Sequence, residues 1–366
     1  MASPPGSLRV QIVASRIAGV IRLGIQDLLP AYFALVMATG IVSIASQLLE
    51  FAILARILFI INIAAYIILW VLLLARLAFY HRRVVVDLGD HLRSPGFFTL
   101  VAGTCVLGSQ FVIISSDMLT AGILWGLGLI LWLVLIYAVF TILMTRDEKP
   151  ALGSGVNGSW LVAVVGTQSI SVLGTMLAAH TGVWKNPMLF YSLTMYLFGG
   201  MLYILIIALI FYRLLFFRLE PAQLSPPYWI NMGAVAISTL AGDTLIINAG
   251  QWSFLSDLLP FLKGLNLFFW ATASWWIPML VILGVWRHLI KRYPLRYDPL
   301  FWSMVFPLGM YTSCTFQMAK ALNIEAITVI PRYFIYIALA AWLFTFGGLL
   351  YRLASGLFST PEVESQ

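Results

Sequence analysis

Asp243 is the one carboxylate that falls clearly inside a long apolar run of this 366-residue chain. A carboxylate in such a place can carry a proton, tie two helices together, or face a wet vestibule. The pair Phe306-Pro307 is the second feature with mechanical consequences, because a proline within a helix cannot donate its backbone hydrogen bond and bends the helix beside a bulky ring. Little else offers chemistry. His81, His91, His180 and His288 fall in loops or at the ends of apolar runs and lack ligand spacing. Cys105 and Cys314 both sit inside apolar runs, so neither implies a disulfide framework or a metal site. No Walker, dinucleotide or His-Glu-x-x-His pattern occurs, so an enzyme is a poor third reading and no cofactor or metal is expected.

The elements that position these residues are membrane spans. Hydrophobic residues make up 61% of the chain and charged residues 10%, with a mean hydropathy of +0.97. A soluble domain carries roughly 25% charged residues, so lipid must be the solvent here. Apolar runs long enough to cross a bilayer recur at about 29–49, 51–79, 95–115, 118–144, 158–179, 188–212, 227–249, 262–286, 299–322 and 333–352. The expected class is therefore an all-α integral membrane protein with ten transmembrane helices over 29–356. Residues 1–28 read as an amphipathic segment on the inner leaflet or as a plain lead-in, without the h-region of a signal peptide; 357–366 read as a short tail.

The net charge of +7 suggests nucleic acid only until the charges are located. With the N-terminus inside, 16 of the 21 Lys and Arg fall on one side, and only Arg56, Lys185, Lys263, Lys320 and Arg332 fall on the other. That asymmetry is the positive-inside rule, which makes both termini cytoplasmic, in a plasma or inner membrane, and removes nucleic acid as a partner.

The spans repeat. Pro30-Ala-Tyr-Phe33, Pro95-Gly-Phe-Phe98, Pro226-Pro-Tyr-Trp229 and Pro299-Leu-Phe-Trp302 open four odd-numbered spans, and Gly158-Ser-Trp160 opens the fifth without the proline. Proline suits a first helical turn, where its missing N–H is no loss, and aromatic rings suit headgroup depth. Five helical hairpins result. Seventeen-residue windows from each anchor hold 25 Gly, Ser or Thr in the odd spans, against 11 in matched even windows. Small residues belong where helices pack closely or line a wet path, so five inner helices should be ringed by five outer ones. Composition leaves pore and packed bundle both open.

Counting along one helical face from the anchors gives three levels. Four residues on are Met37, Ala102, Val164, Gly233 and Phe306; seven on are Gly40, Cys105, Thr167, Ala236 and Gly309; eleven on are Ile44, Ser109, Ser171, Leu240 and Ser313. Only the first level holds a bulky aromatic, Phe306, beside the bend at Pro307. The expected lining is small, weakly polar and uncharged. An anion could cross such a surface partly dehydrated, with no fixed cation to hold it. Asp243 lies ten residues beyond Gly233, about 80° round the helix from this face, toward a seam between helices. Gln110, Gln168 and Gln317 read as polar glue.

The segments Pro30–Ser46 (PAYFALVMATGIVSIAS) and Trp302–Phe316 (WSMVFPLGMYTSCTF) resemble the first and ninth helices of the tellurite-resistance/dicarboxylate-transporter family, which includes the plant guard-cell slow anion channels. The resemblance covers the whole chain, and its most specific local match is Phe306-Pro307. It implies a homotrimer whose protomers each enclose a pore of five inner helices, with Phe306 occluding it. Plant members use long cytosolic tails as phosphorylation targets; the short ends read in this sequence put that mode of regulation in doubt here. Two functions follow as expectations: a gated channel for small inorganic or organic anions, or a proton-coupled carrier of C4-dicarboxylates such as malate, or of sulfite- or tellurite-type oxyanions. The second would make Asp243 the proton-coupling group.

Overall fold

The computed structural model describes residues 24–358, together with Gly19 and Arg22. Of the amphipathic segment expected at 1–28, all but Gly19, Arg22 and residues 24–28 lies outside the described residues, as does the tail from residue 359. Ten long helices follow one another: α1 (Ala34–Leu48), α2 (Ala52–Leu88), α3 (Phe98–Gln110), α4 (Met118–Thr145) and α5 (Val162–Ala178). After them come α6 (Lys185–Phe216), α7 (Ile230–Ile247), α8 (Leu259–Val285), α9 (Trp302–Leu322) and α10 (Val329–Phe358).

Each odd-numbered helix is preceded by a short 3-10 turn, and these turns are the recurring anchors. They span Pro30–Phe33, Ser94–Phe97, Gly158–Leu161, Pro226–Trp229 and Pro299–Phe301, and in four of them a proline occupies the first or second position. The turns pack against one another in chain order, and the last meets the first. Thr99 Oγ donates to the Pro30 carbonyl at 3.0 Å across one such junction. The copy without proline has its own reason. A Cβ on Gly158 would lie 2.1 Å from the Pro227 carbonyl oxygen, so only glycine lets that turn approach its neighbour. Asn157 caps this turn, its Oδ1 accepting from the Ser159 N–H at 2.9 Å.

The odd helices continue the same circuit: α1 packs on α3, α3 on α5, α5 on α7, α7 on α9, and α9 on α1. Glycines permit the close approach. Cβ atoms on Gly40 and Gly309 would lie 2.6 Å from Val106 Cγ1 and 2.9 Å from Ile41 Cγ2, and one on Gly233 would lie 2.6 Å from Pro307 Cγ. Each even helix packs on the odd helix before it and also reaches the next one. The reach to the next one is polar. Tyr66 bonds Thr104 (3.0 Å), the Trp132 indole donates to Thr167 (2.8 Å) and Tyr203 donates to the Asn231 carbonyl (3.2 Å). Trp270 donates to Thr315 (3.0 Å), and Trp342 closes the circle on Thr39 (3.0 Å). Such bonds average about 0.6 kcal/mol each between membrane helices, so they fix register more than they hold the bundle together.

Nine helices of the described residues, with their lead-in turns, are long and apolar enough to cross a membrane. The tenth expected span, α9, is not among them. It has 21 residues but carries Ser303, Thr312, Ser313, Thr315, Gln317 and Lys320. Its surroundings explain the difference: α9 is packed by α1, α7 and α10, so most of its surface meets protein rather than lipid. The even helices face outward, with Ile53 80%, Phe79 77% and Phe344 82% exposed, and they run longer than the apolar stretches suggested. At 37 residues α2 measures ~55 Å, well beyond a hydrocarbon core of ~30 Å, and it breaks at Tyr80 (φ −134°, ψ 32°). Past the break, Asp87 accepts from buried Arg76 and from Arg93, each at 2.7 Å, which ties the C-terminal end of α2 to the lead-in of α3.

Candidate functional site

A cavity of about 170 Å³ lies inside the ring, at the end where the odd helices finish. All five contribute to its wall. Its floor is Ile41, Val106, Ile237 and Met310, each the eighth residue past an anchor and each almost fully buried. Ile44, Ser109, Val172 and Leu240 stand one turn higher, and Ile113, Thr244, Asn248 and Gln317 form the rim.

Among the described residues the wall carries no Asp, Glu, Lys, Arg or His. Its polar groups are hydroxyls and amides. Ser109, Ser169 and Thr244 each donate to a carbonyl of their own helix, at 3.0, 2.7 and 2.8 Å. A hydroxyl in that arrangement can swing its proton to a passing acceptor and back, exchanging one bond for another. Asn248 is held by the Thr244 carbonyl at 2.8 Å and by Gln251.

One turn below the floor lies the level that holds Phe306. Met37, Ala102, Val164 and Phe306 are 2%, 0%, 0% and 1% exposed, and Gly233 is buried against Pro307. None of the five reaches the cavity. The ring is thus filled at this depth, and Phe306 is among the largest fully buried side chains of the molecule. Pro307 packs against Gly233 of the neighbouring helix, so ring and proline are seated together.

The structure distributes the other expected lining residues unevenly. Cys105 and Ser109 border the cavity, although the Cys105 thiol points toward α4, where a Cβ on Gly128 would lie 2.6 Å from it. Thr167 and Ser171 are turned outward: Thr167 receives the Trp132 indole, and Ser171 donates to the Ser192 carbonyl of α6 at 2.7 Å. Gly40 and Gly309 sit in the seams of the ring, and Ala236 and Ser313 are buried off the cavity wall. The face that continues from the Phe306 level is residues eight, eleven and fifteen past each anchor. That is the helical continuation of four, and it yields Ile41, Ile237, Met310, Thr244 and Gln317, which a count through the glycine-rich seventh position passes over.

Asp243 is fully buried behind the wall, one residue from Thr244. Its Oδ1 accepts from Asn266 Nδ2 of α8 at 2.7 Å, while Oδ2 and the nearby Tyr196 hydroxyl have no partner among the described residues. The approach depends on Gly242, where a Cβ would lie 2.1 Å from Asn266 Oδ1 and 2.9 Å from the Tyr196 hydroxyl. Gln110 and Gln168 bind outer helices, accepting from Asn62 at 2.6 Å and donating to the Tyr196 carbonyl at 3.0 Å; Gln317 is at the rim instead. Among the described residues no group of His, Cys, Asp and Glu could hold a metal ion.

Relatives agree with a transport role for this architecture. Two proteins of Methanocaldococcus jannaschii, both named uncharacterized transporters, are 25% identical over 91% of this chain and 96% of their own length, and 27% identical over 84% and 88%. A protein of Mycobacterium tuberculosis strain H37Rv, named an uncharacterized membrane protein, is 39% identical over 42% of this chain and 78% of its own. The family model for SLAC1, described as a voltage-dependent anion channel, matches residues 27–350, from the first lead-in turn to within the last long helix. The chain therefore belongs to that family of membrane channels and transporters, the tellurite-resistance/dicarboxylate-transporter group that its first and ninth helices resemble.

Proposed function

We propose that this protein is a gated passive pathway for small anions, with ten helices crossing the membrane as five hairpins. The five odd helices surround the path and Phe306 closes it. The observation that carries this reading is the cavity wall. Every inner helix contributes to it, it offers hydroxyl and amide groups, and it contains no fixed charge. A permeating ion must bind well enough to enter and weakly enough to leave. A wall of exchangeable hydroxyls meets both demands for an anion; a buried arginine would meet only the first. The five parallel helices add a bias of sign, since their N-termini all lie at the inner end, where partial positive charge gathers within the first turn. The termini face the cytoplasm of a plasma or inner membrane on the charge asymmetry, and a homotrimer is the assembly the family resemblance implies.

A second reading rests on Asp243, a buried carboxylate with one free oxygen directly behind the rim. In that case the protein is a proton-coupled carrier of dicarboxylates or of sulfite- or tellurite-type oxyanions, and Asp243 takes up the proton. Anion flux into proteoliposomes, with and without an imposed pH gradient, separates the two. The channel predicts flux that follows the anion gradient alone and persists in Asp243→Asn. Flux that saturates, tracks the pH gradient and collapses in Asp243→Asn would replace the channel with the carrier. Absence of flux for chloride, nitrate, malate and sulfite alike would end both.

A further inference from the structure

A second space lies outside the ring. It is a groove of about 620 Å³ between α8 and α10, at the end where the odd helices begin. Its deeper part is apolar, walled by Leu280, Leu283, Met304, Ala341 and Phe344. Its mouth is basic: Arg287, His288 and Arg296 line it, and among the described residues no carboxylate does. Among the described residues neither arginine is in an ion pair. Arg287 instead lies over the Tyr293 ring, 4.6 Å from its centroid, and its Nε has no hydrogen-bond partner.

Two further polar groups are left open at the same place. Tyr228 is 1% exposed and lines the groove, and among the described residues its hydroxyl has no partner; nor does the hydroxyl of Tyr297, whose ring packs on Gly348. Leaving a buried donor without an acceptor is costly, so two hydroxyls and a guanidinium N–H on residues that line one basic mouth describe a place built to be filled by an acceptor. The groove also opens on the lipid-facing side, where Phe344, Leu289 and Leu295 are 82%, 71% and 73% exposed.

We infer that this groove binds an anionic phospholipid of the inner leaflet, with an acyl chain between α8 and α10 and the phosphate at Arg287, Arg296, Tyr228 and Tyr297. Charge and depth agree: basic side chains at the membrane surface attract anionic headgroups, and the apolar wall runs from that level toward the bilayer centre. A neutral lipid would fill the wall and leave the two arginines without a counter-charge. The site does not depend on whether the ring conducts. It does touch the machinery, since Met304 stands two residues before Phe306 on the same helix.

The test uses the full-length purified protein in detergent, titrated with dioleoyl phosphatidylglycerol or dioleoyl phosphatidylcholine and read by native mass spectrometry. Retention of phosphatidylglycerol should exceed that of phosphatidylcholine by about tenfold or more. The preference should disappear in the Arg287→Gln, Arg296→Gln double variant and survive in an Arg82→Gln, Arg218→Gln control from the same membrane face. Equal retention of the two lipids, or an unchanged preference in the double variant, would overturn the assignment. Should the double variant not fold, benzoylphenylalanine at position 344 in the otherwise native chain gives an independent answer. Light-driven adducts with phosphatidylglycerol support the site, whereas adducts only with a second copy of the chain or with its own residues 359–366 would show the groove to be covered by protein.

Discussion

The cavity within the ring and the groove outside it differ in one respect that matters for an anion. The first is lined by hydroxyls, amides and aliphatic side chains with no formal charge; the second carries two arginines and a histidine at its mouth. Fixed cations in a partly dehydrated setting hold an anion, and their absence lets it pass. On the proposed function this separates retention from transit: positive charge lies at the mouth of the outer groove, and the cavity wall inside the ring is neutral. The same division appears in the helices. Odd helices are buried and spend their small residues on approaching one another, while even helices are long, apolar and exposed.

Removing the ring from the axis should have the largest effect. Phe306→Ala in planar bilayers is expected to raise anion conductance on the order of tenfold or more, because the level it fills is otherwise made of smaller residues. Unchanged conductance in a folded, inserted variant would take closure away from Phe306. The contrast can then be erased deliberately. Met310→Lys puts a fixed cation on the cavity floor, and conductance should fall roughly tenfold while half-saturation moves to lower anion concentration; equal conductance at all concentrations would mean that ions do not touch this wall.

Effects on stability should be smaller and fall on the seams. Gly233→Leu forces a side chain into Pro307 and should cost about 1–3 kcal/mol or more, seen as a lower midpoint of thermal unfolding in detergent. An unaltered midpoint would show that α7 and α9 are not tightly joined there. The least effect is expected from Trp132→Phe, which removes only the indole bond to Thr167. A loss near 0.6 kcal/mol with flux intact fits a residue that sets register from outside; a large change in flux would bring Thr167 back to the path.

Much of this was legible without a structure. The anchors at Pro30, Pro95, Pro226 and Pro299 marked the starts of four inner helices, and the Gly158 copy, though lacking proline, marked the fifth. The polarity of the odd spans placed them inside. What the pattern did not reveal is which small residues face the axis. Gly40, Gly309 and Thr167 look alike in a list of small side chains, yet two join neighbouring helices and the third accepts an indole from an outer one. Residue type reports only that space is short.

Sequence alone determined that the chain is an apolar, helical membrane protein, that one opening signature recurs along it, and that Phe306 beside Pro307 is the exception among positions in equal register. These follow from composition and period, which are local properties of a chain in lipid. The tertiary structure decided that the ring closes, that Asp243 binds Asn266 rather than facing the cavity, and that Arg287 and Arg296 flank one groove. Those facts depend on how the helices rotate and approach one another across tens or hundreds of residues. That choice is made by glycine contacts and interhelical hydrogen bonds, whose partners no local pattern names.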